Sequence, residues 1–366
     1  MFRHRLMQGA MATTLMIGMA GCSKANGDGP APTEAAGTLV LKPLVVNDPV
    51  FGEEAFRTLV PANWSANGQV IWRMHPQYPS TLAVQAAEQS GLEQVHIYPG
   101  MPFADGVWYL PRGSSYLGNE IAPYPDDIVS FLRYYLLPRF RPDVVDYRVE
   151  NVQTMPAWAQ SSAVVAGFRS IRVPADAQAG MVRIAYEVNG ERVEEEYYIM
   201  LDHAVMLGVN YWGNEWSSSV RAPDGHLNEV RGIHQAIVSS LRISLDFYNR
   251  DRQAAQMVTN IISGESATAV RISSILSHTN EQISDTIRSS YENRERVMDQ
   301  VNAQFDRYIR GVEQYQNPAD GGVIELPSGH RNAWVNGLGQ YVLSDDPNFN
   351  PNVQMQGSWQ QLQLKR

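Results

Sequence analysis

The sequence predicts an α+β fold: an antiparallel sheet covered by helices, followed by a long helix and a small C-terminal β meander. Three observations predict it. Between residues 41 and 248, short runs that alternate apolar and polar residues are separated by turn residues, the period of half-buried strands. Stretches at 128–136 and 226–241 carry apolar residues three and four apart, as helices that cover one face of a sheet do. From 250 to 312 the apolar residues narrow to a single stripe, after which turns and strand-like runs return.

The chain opens with Arg3 and Arg5, then an apolar run ending Leu15-Met16-Ile17-Gly18-Met19-Ala20-Gly21-Cys22-Ser23. This layout is that of a secretion signal, and it is too short and glycine-dotted to span a bilayer, which takes about 20 apolar residues. Ala20 and Gly21 place slim side chains directly before the only cysteine. The segment resembles the lipobox of bacterial lipoproteins, with Met19 in the usual leucine position. The resemblance implies removal of a signal peptide, residues 1–21, and lipid attachment at Cys22. Several acyl chains on one residue hold a protein to a membrane where a single chain holds it only marginally. Ser23 after the cysteine is compatible, by the same resemblance, with export to the outer membrane, facing the periplasm. Residues 22–40 are small, polar and proline-dotted, and read as a flexible tether.

The region 41–248 reads as one α+β domain. Thr38–Leu41, Ala55–Pro61 and Val95–Pro99 are strand-like, and Val70–Met74 reads as another strand after an Asn67-Gly68 turn. Asp126-Asp127 caps a helical run through Ile128, Phe131, Leu132, Tyr135 and Leu136 that Pro138 stops. Gly180–Val188 and Arg192–Leu201 flank Asn189-Gly190, the dipeptide a type I′ hairpin prefers. A further strand is read at Ala204–Tyr211, then a flexible loop rich in Ser and Gly that holds Ser217-Ser218-Ser219, then a helix through Leu227, Val230, Ile233, Ile237 and Leu241. Phe56-Arg57-Thr58-Leu59-Val60-Pro61-Ala62-Asn63-Trp64, with the later Val238-Ser239-Ser240-Leu241, resembles PsbP/Mog1-like domains over roughly 45–247. That fold serves as a binding or assembly module, and the resemblance carries over no catalytic residue.

Residues 249–312 read as one long helix with the seam of a coiled coil, through Val258, Ile262, Ile272, Leu276, Ile283, Ile287, Val301, Phe305 and Val312. Self-association into a homo-oligomer and packing back onto the same chain stand as equal alternatives. Residues 313–366 read as a small β tail: Val323–Leu326, Asn332–Asn336 and Gln340–Ser344 around glycine turns. Glu325–Gly329 with Ala333–Asn336 and Tyr341–Asp345 resembles the ending of an uncharacterised bacterial envelope protein group.

Function is less legible. The chain has a net charge of −9, which becomes −11 when residues 1–21 and their two arginines leave, so nucleic acid is disfavoured as a partner. A lipidated Cys22 leaves no thiol for a disulfide, a metal or catalysis, and the scattered histidines lack metal-ligand spacing. Neither a metal nor another cofactor is expected. Asp202 and His203 are neighbours on a strand and therefore point to opposite faces; no catalytic residue is assigned. Tyr211, Trp212, Trp216, Trp334 and Tyr341 combine an apolar face with a polar tip and form the expected binding surface. The reading is a lipid-anchored envelope protein, a non-enzymatic binding or scaffold module for an envelope protein or polymer. An envelope-polymer hydrolase using Asp202 or His203, and a structural oligomer held by the long helix, are the alternatives. Cys22→Ser is expected to move the protein from the membrane fraction to the soluble fraction and leave its signal uncut. Recovery with membranes at mature size would refute the anchor.

Overall fold

Asn189 and Gly190 sit at φ 54° and 84°, the left-handed pair that a two-residue type I′ turn requires. They join antiparallel strands of 14 and 16 residues, and these organise the molecule. The computed structural model describes residues 38–75, 78–108, 110–170, 172–263, 312–318 and 321–365.

In chain order the first strands are β1 (Thr38–Asn47), β2 (Glu54–Pro61), β3 (Ser65–Trp72), β4 (Ser80–Ala87) and β5 (Gln94–Ile97). Short strands β6 (Pro102–Asp105), β7 (Ser115–Tyr116) and β8 (Asn119–Ile121) lead to a helical segment. That segment is α1 (Ile128–Phe131), a π-turn (Leu132–Leu136) and α2 (Leu137–Phe140). Next come β9 (Arg148–Thr154), α3 (Pro156–Gln160), α4 (Ala163–Ser170), β10 (Ala175–Val188), β11 (Glu191–Met206) and β12 (Val209–Pro223). After α5 (Leu227–Ser239), β13 (Arg242–Ile243) and α6 (Leu245–Ser263), the described tail holds β14 (Val312–Gln316), β15 (Val323–Pro327), β16 (Asn332–Asn336) and β17 (Tyr341–Ser344). It closes with a one-turn α7 (Pro351–Gln354), β18 (Trp359–Gln361) and β19 (Gln363–Leu364).

A ten-stranded sheet runs β3-β4-β5-β12-β11-β10-β9, with β6, β7 and β8 attached beside β12. One face packs Met181, Met200 and Val220 beneath Phe56, Ile237 and Phe247. The other packs Val182, Ile184, Tyr197 and Leu201 beneath Phe131, Leu132 and Leu136 of the helical segment. A six-stranded sheet runs β13-β2-β1-β17-β16-β18, and a three-stranded one β15-β14-β19.

The fold is therefore mostly β, which corrects the α+β expectation. The described helices are short covers on a sheet buried on both faces, and the strands β10 to β12 are longer than the spacing of turn residues suggested. The tail is not a free-standing meander either. Leu39 pairs with Leu343 and Leu41 with Tyr341, so β17 completes the sheet that β1 begins. Of the long helix expected over 249–312, the described part is the end of α6; residues 264–311, together with Cys22 and most of the residues read as a signal peptide and tether, lie outside the described residues. No helix among the described residues is long and apolar enough to cross a membrane.

Four local readings also change. Asn67-Gly68 lies inside β3 rather than at a turn, because any side chain at Gly68 would run into Val46 Cγ2. The strand read at Ala204–Tyr211 turns in its middle: Leu207 and Gly208 take φ 53° and 82° and pass the chain from β11 to β12. A leucine in the left-handed region gives no turn signal in the sequence. Pro138 does not end the helical segment, because the π-turn's Leu137 N–H already bonds back to Leu132 O and α2 restarts with the proline in its first turn. Ser217, Ser218 and Ser219 lie in the middle of β12, each 1 % exposed.

Ser219 serves one of a set of charges buried on both faces. Glu194, Glu195 and Glu196 are 8, 1 and 1 % exposed, and a buried carboxylate is tolerated only when paired and hydrogen-bonded. Glu195 receives Arg141 at 2.6 Å, the Tyr186 hydroxyl at 2.6 Å and the Ser219 hydroxyl at 2.7 Å. On the opposite face Glu196 receives Arg183 at 2.7 Å, Arg231 at 2.8 Å and the Tyr198 hydroxyl at 2.9 Å. Burial alone would raise Glu195, but the Arg141 guanidinium and the Tyr186 and Ser219 hydroxyls together outweigh it and hold the carboxyl below its ordinary range. His96 and His234 are depressed to about 4 and His75 to about 3, in each case chiefly by burial.

The unfolded chain takes up protons at these histidines near pH 6.5, whereas the fold does not until near pH 4. Stability is thus present above about pH 6.5 and lost as the pH falls toward 4. The unfolding midpoint is expected to drop steadily from pH 7 to pH 4, and His234→Gln to flatten that slope. A midpoint constant over this range would show that the histidines do not stay neutral in the fold.

Candidate functional site

The residues between β8 and the helical segment read Ala122-Pro123-Tyr124-Pro125-Asp126-Asp127. Two prolines keep this stretch extended, and Asp127 then starts α1 by accepting the Ser130 N–H at 2.7 Å. Trp212 on β12 donates its indole N–H to Ala122 O at 2.9 Å, and the Tyr135 hydroxyl donates to Pro123 O at 2.6 Å. The extended stretch is thereby clamped between the sheet and the helical segment.

An open groove of about 580 Å³ follows it, a volume in the range of ligand sites. Tyr124, Tyr134, Tyr135, Arg112, Arg139, Asp126 and Glu120 line it. A buried aromatic cluster lies behind the groove-lining Tyr124 and Tyr135. Trp212 stacks on Phe103 at 4.1 Å between centroids and meets the edges of Tyr135 at 5.1 Å and Tyr124 at 5.7 Å. Arg139 lies over the Phe103 and Tyr135 rings at 5.1 and 5.6 Å and bonds to Glu120 at 2.5 Å. Tyr134 is 65 % exposed, and its ring faces solvent. Burial raises the Tyr124 phenol, so it stays a neutral hydroxyl at any physiological pH. Flat ring faces with guanidinium and hydroxyl groups between them suit a ligand that is itself flat and polar at its edges, such as a sugar ring bearing acidic groups.

The five aromatic residues singled out in the sequence fall in different places. Trp212 is 2 % exposed and lies in the core behind the groove, against the groove-lining Tyr124 and Tyr135. Tyr211 is half-buried with Val164 and Phe168. Trp216 packs on the opposite face of the sheet and donates to Ser218 Oγ at 3.1 Å. Trp334 packs beside Phe349 and Trp359, and Tyr341 is buried with Leu41 and Leu326. Asp202 and His203 also diverge. Asp202 is buried, 3.4 Å from the Tyr78 hydroxyl, and burial with the nearby Glu215 charge raises its carboxyl well above the ordinary range. His203 stacks on Tyr124 at 4.5 Å and lies 3.4 Å from Asp176. Among the described residues no cluster of three His, Cys, Asp or Glu is arranged to hold a metal.

Tyr124, Tyr134, Arg112 and Arg139 escaped the sequence reading. The Pro-Tyr-Pro triplet ahead of a Tyr-Tyr pair was the available signal, because a helix that shows one tyrosine to a core shows its neighbour to solvent. Comparison with known protein families and with curated proteins finds no match to this chain.

Trp212→Ala removes both the ring stack and the clamp on Ala122, and is expected to lower stability by about 3–5 kcal/mol in urea unfolding. Trp212→Phe keeps a ring against Phe103 but loses the hydrogen bond and part of the indole volume, for about 2 kcal/mol. Equal losses would mean that the ring stack contributes nothing.

Proposed function

We propose that this chain is a lipid-anchored bacterial envelope protein that binds an acidic envelope glycan in the Tyr124–Tyr134–Arg139 groove, without cutting it. The groove carries the proposal: it is open to solvent, and Tyr124, Tyr134 and Tyr135 line it together with Arg112 and Arg139. The lipobox-like residues ending at Cys22 support the location, because an anchored protein meets such polymers at high local concentration. Asp202 argues against hydrolysis by this chain, since it lies buried away from His203.

Sedimentation with insoluble peptidoglycan sacculi tests the binding. Tyr134→Ala and Arg112→Ala are each expected to weaken it by about five- to tenfold, the loss of a contact worth about 1 kcal/mol or more, with an unchanged unfolding midpoint. Undiminished sedimentation in both variants would remove the groove from consideration.

A further inference from the structure

Three loops lie side by side at one end of the large sheet. The strand register gathers the end of β6, the β11–β12 turn and the start of β10 there: Asp105 pairs with Asn210, Met206 with Val209 and Ala204 with Ala175. The loops also touch. A Cβ at Gly106 would lie 3.4 Å from Gly208 O, and the Val205 N–H donates to Pro174 O at 3.0 Å.

What these loops show to solvent is apolar and cationic. Trp108 is 91 % exposed and Leu207 60 %; whatever the Trp108 ring meets, nearly all of its area stays in water. Residues 106–114, 169–174 and 205–210 contain Arg112, Arg169 and Arg172 and no aspartate or glutamate, on a chain whose net charge is −9. Arg139 is answered by Glu120, whereas Arg112, Arg169 and Arg172 have no ion-pair partner among the described residues. The flanking acids are turned to other groups: Asp105 accepts the Gly106 N–H at 2.7 Å, and Asp176 lies 3.4 Å from His203. The turn itself carries a cost. Leu207 sits at φ 53°, a region that a bulky side chain rarely adopts and that glycine or asparagine fills readily. Either would close the hairpin better. Strain of this kind collects at functional positions, and here it holds a leucine in solvent at the tip of the hairpin.

We propose that this end of the sheet docks on an anionic lipid bilayer, with Trp108 and Leu207 entering the boundary between headgroups and acyl chains and Arg112, Arg169 and Arg172 meeting the phosphates. Tryptophan concentrates at that boundary, and arginines close to an anionic leaflet are drawn to it. A bilayer surface matches both halves of the patch, the apolar tips and the cations around them. The inference rests on the lipid-anchor reading only in that an anchor brings the chain beside a membrane; the contact itself needs no acyl chain. Docking gives the anchored chain a fixed orientation, with the groove-lining Arg112 at the headgroups.

The full chain is mixed with vesicles of phosphatidylglycerol, and separately of phosphatidylcholine, whose acyl chains carry bromine, a contact quencher of tryptophan. The floated fraction is read by fluorescence. Bromine is expected to remove part of the emission in phosphatidylglycerol, and Trp108→Phe to abolish that loss. Arg169→Gln combined with Arg172→Gln is expected to bring the loss down to its phosphatidylcholine level. Leu207→Gly is expected to weaken the quenching while the unfolding midpoint holds or rises, since glycine takes a positive φ without strain. Unquenched emission in the vesicle-bound wild type, quenching that survives Trp108→Phe, or a lowered midpoint in Leu207→Gly overturns the proposal. A protein partner in the bilayer's place, or residues of this chain outside the described ones, would give the first of these outcomes. Cys22→Ser separates the two readings. Trp108 quenching in the bound fraction of that variant supports docking without the anchor, and a wild-type chain that floats with Trp108 unquenched keeps the anchor and ends the docking.

Discussion

The Arg141–Glu195 pair is the constraint around which the large sheet is built. Removing two charges from water costs several kcal/mol per ion, and such a pair is tolerable only when the remaining lone pairs and N–H groups are also matched. Here they are matched by Tyr186, Ser219 and Asp143. Arg141 directly follows α2, so the pair also ties the end of the helical segment to the centre of β11. The groove-lining Tyr134, Tyr135 and Arg139 belong to that same segment. A buried charge pair with little value as net stabilisation thus acts as a positioning device for the surface a few residues away.

The second constraint is topological. β1 has no partner on its outer side until β17, about three hundred residues later, lies beside it. Pairings that distant close late and slowly, and they join the two ends of the described chain into one sheet. A lipid anchor upstream of β1 would then pull on a strand flanked by β2 and β17, where the load is shared by two ladders of hydrogen bonds. Ser240 strengthens the same region, with its hydroxyl accepting the Leu59 N–H at 2.8 Å from the end of α5.

What the sequence disclosed was local. Asn189-Gly190, the Asp127 cap, α5 and the tail strands follow from turn chemistry and period, and each is found close to where those rules put it. What it hid was long-range. Nothing near Thr38 announces Ser344 as a neighbour, and Ser217–Ser219 looks like a loop until Glu195 and His234 are known to face it. Trp212 was noticed for the right chemistry, but period alone could not say that Phe103 and Tyr124 would cover it. The site was therefore half legible: the ring behind it could be named, while Tyr134, Tyr135 and Arg139 of its lining came from a segment read only as a helix.

Trp212 and Trp216 show how one strand serves two surfaces. They are four residues apart, and in an unbroken strand both would point to the same face. Glu215 intervenes as an added residue, so Trp212 joins the core beneath the helical segment and Trp216 the core beneath α5 and α6. Gly213 completes the arrangement, because a side chain there would press on Met101 O at 2.9 Å and crowd the approach of Tyr78 to Asp202. The bulge and the glycine carry little packing value of their own, and both weaken a strand. Their presence in the large sheet is accounted for by the side chains they aim, an aromatic core residue on one face and a carboxylate at a pocket on the other.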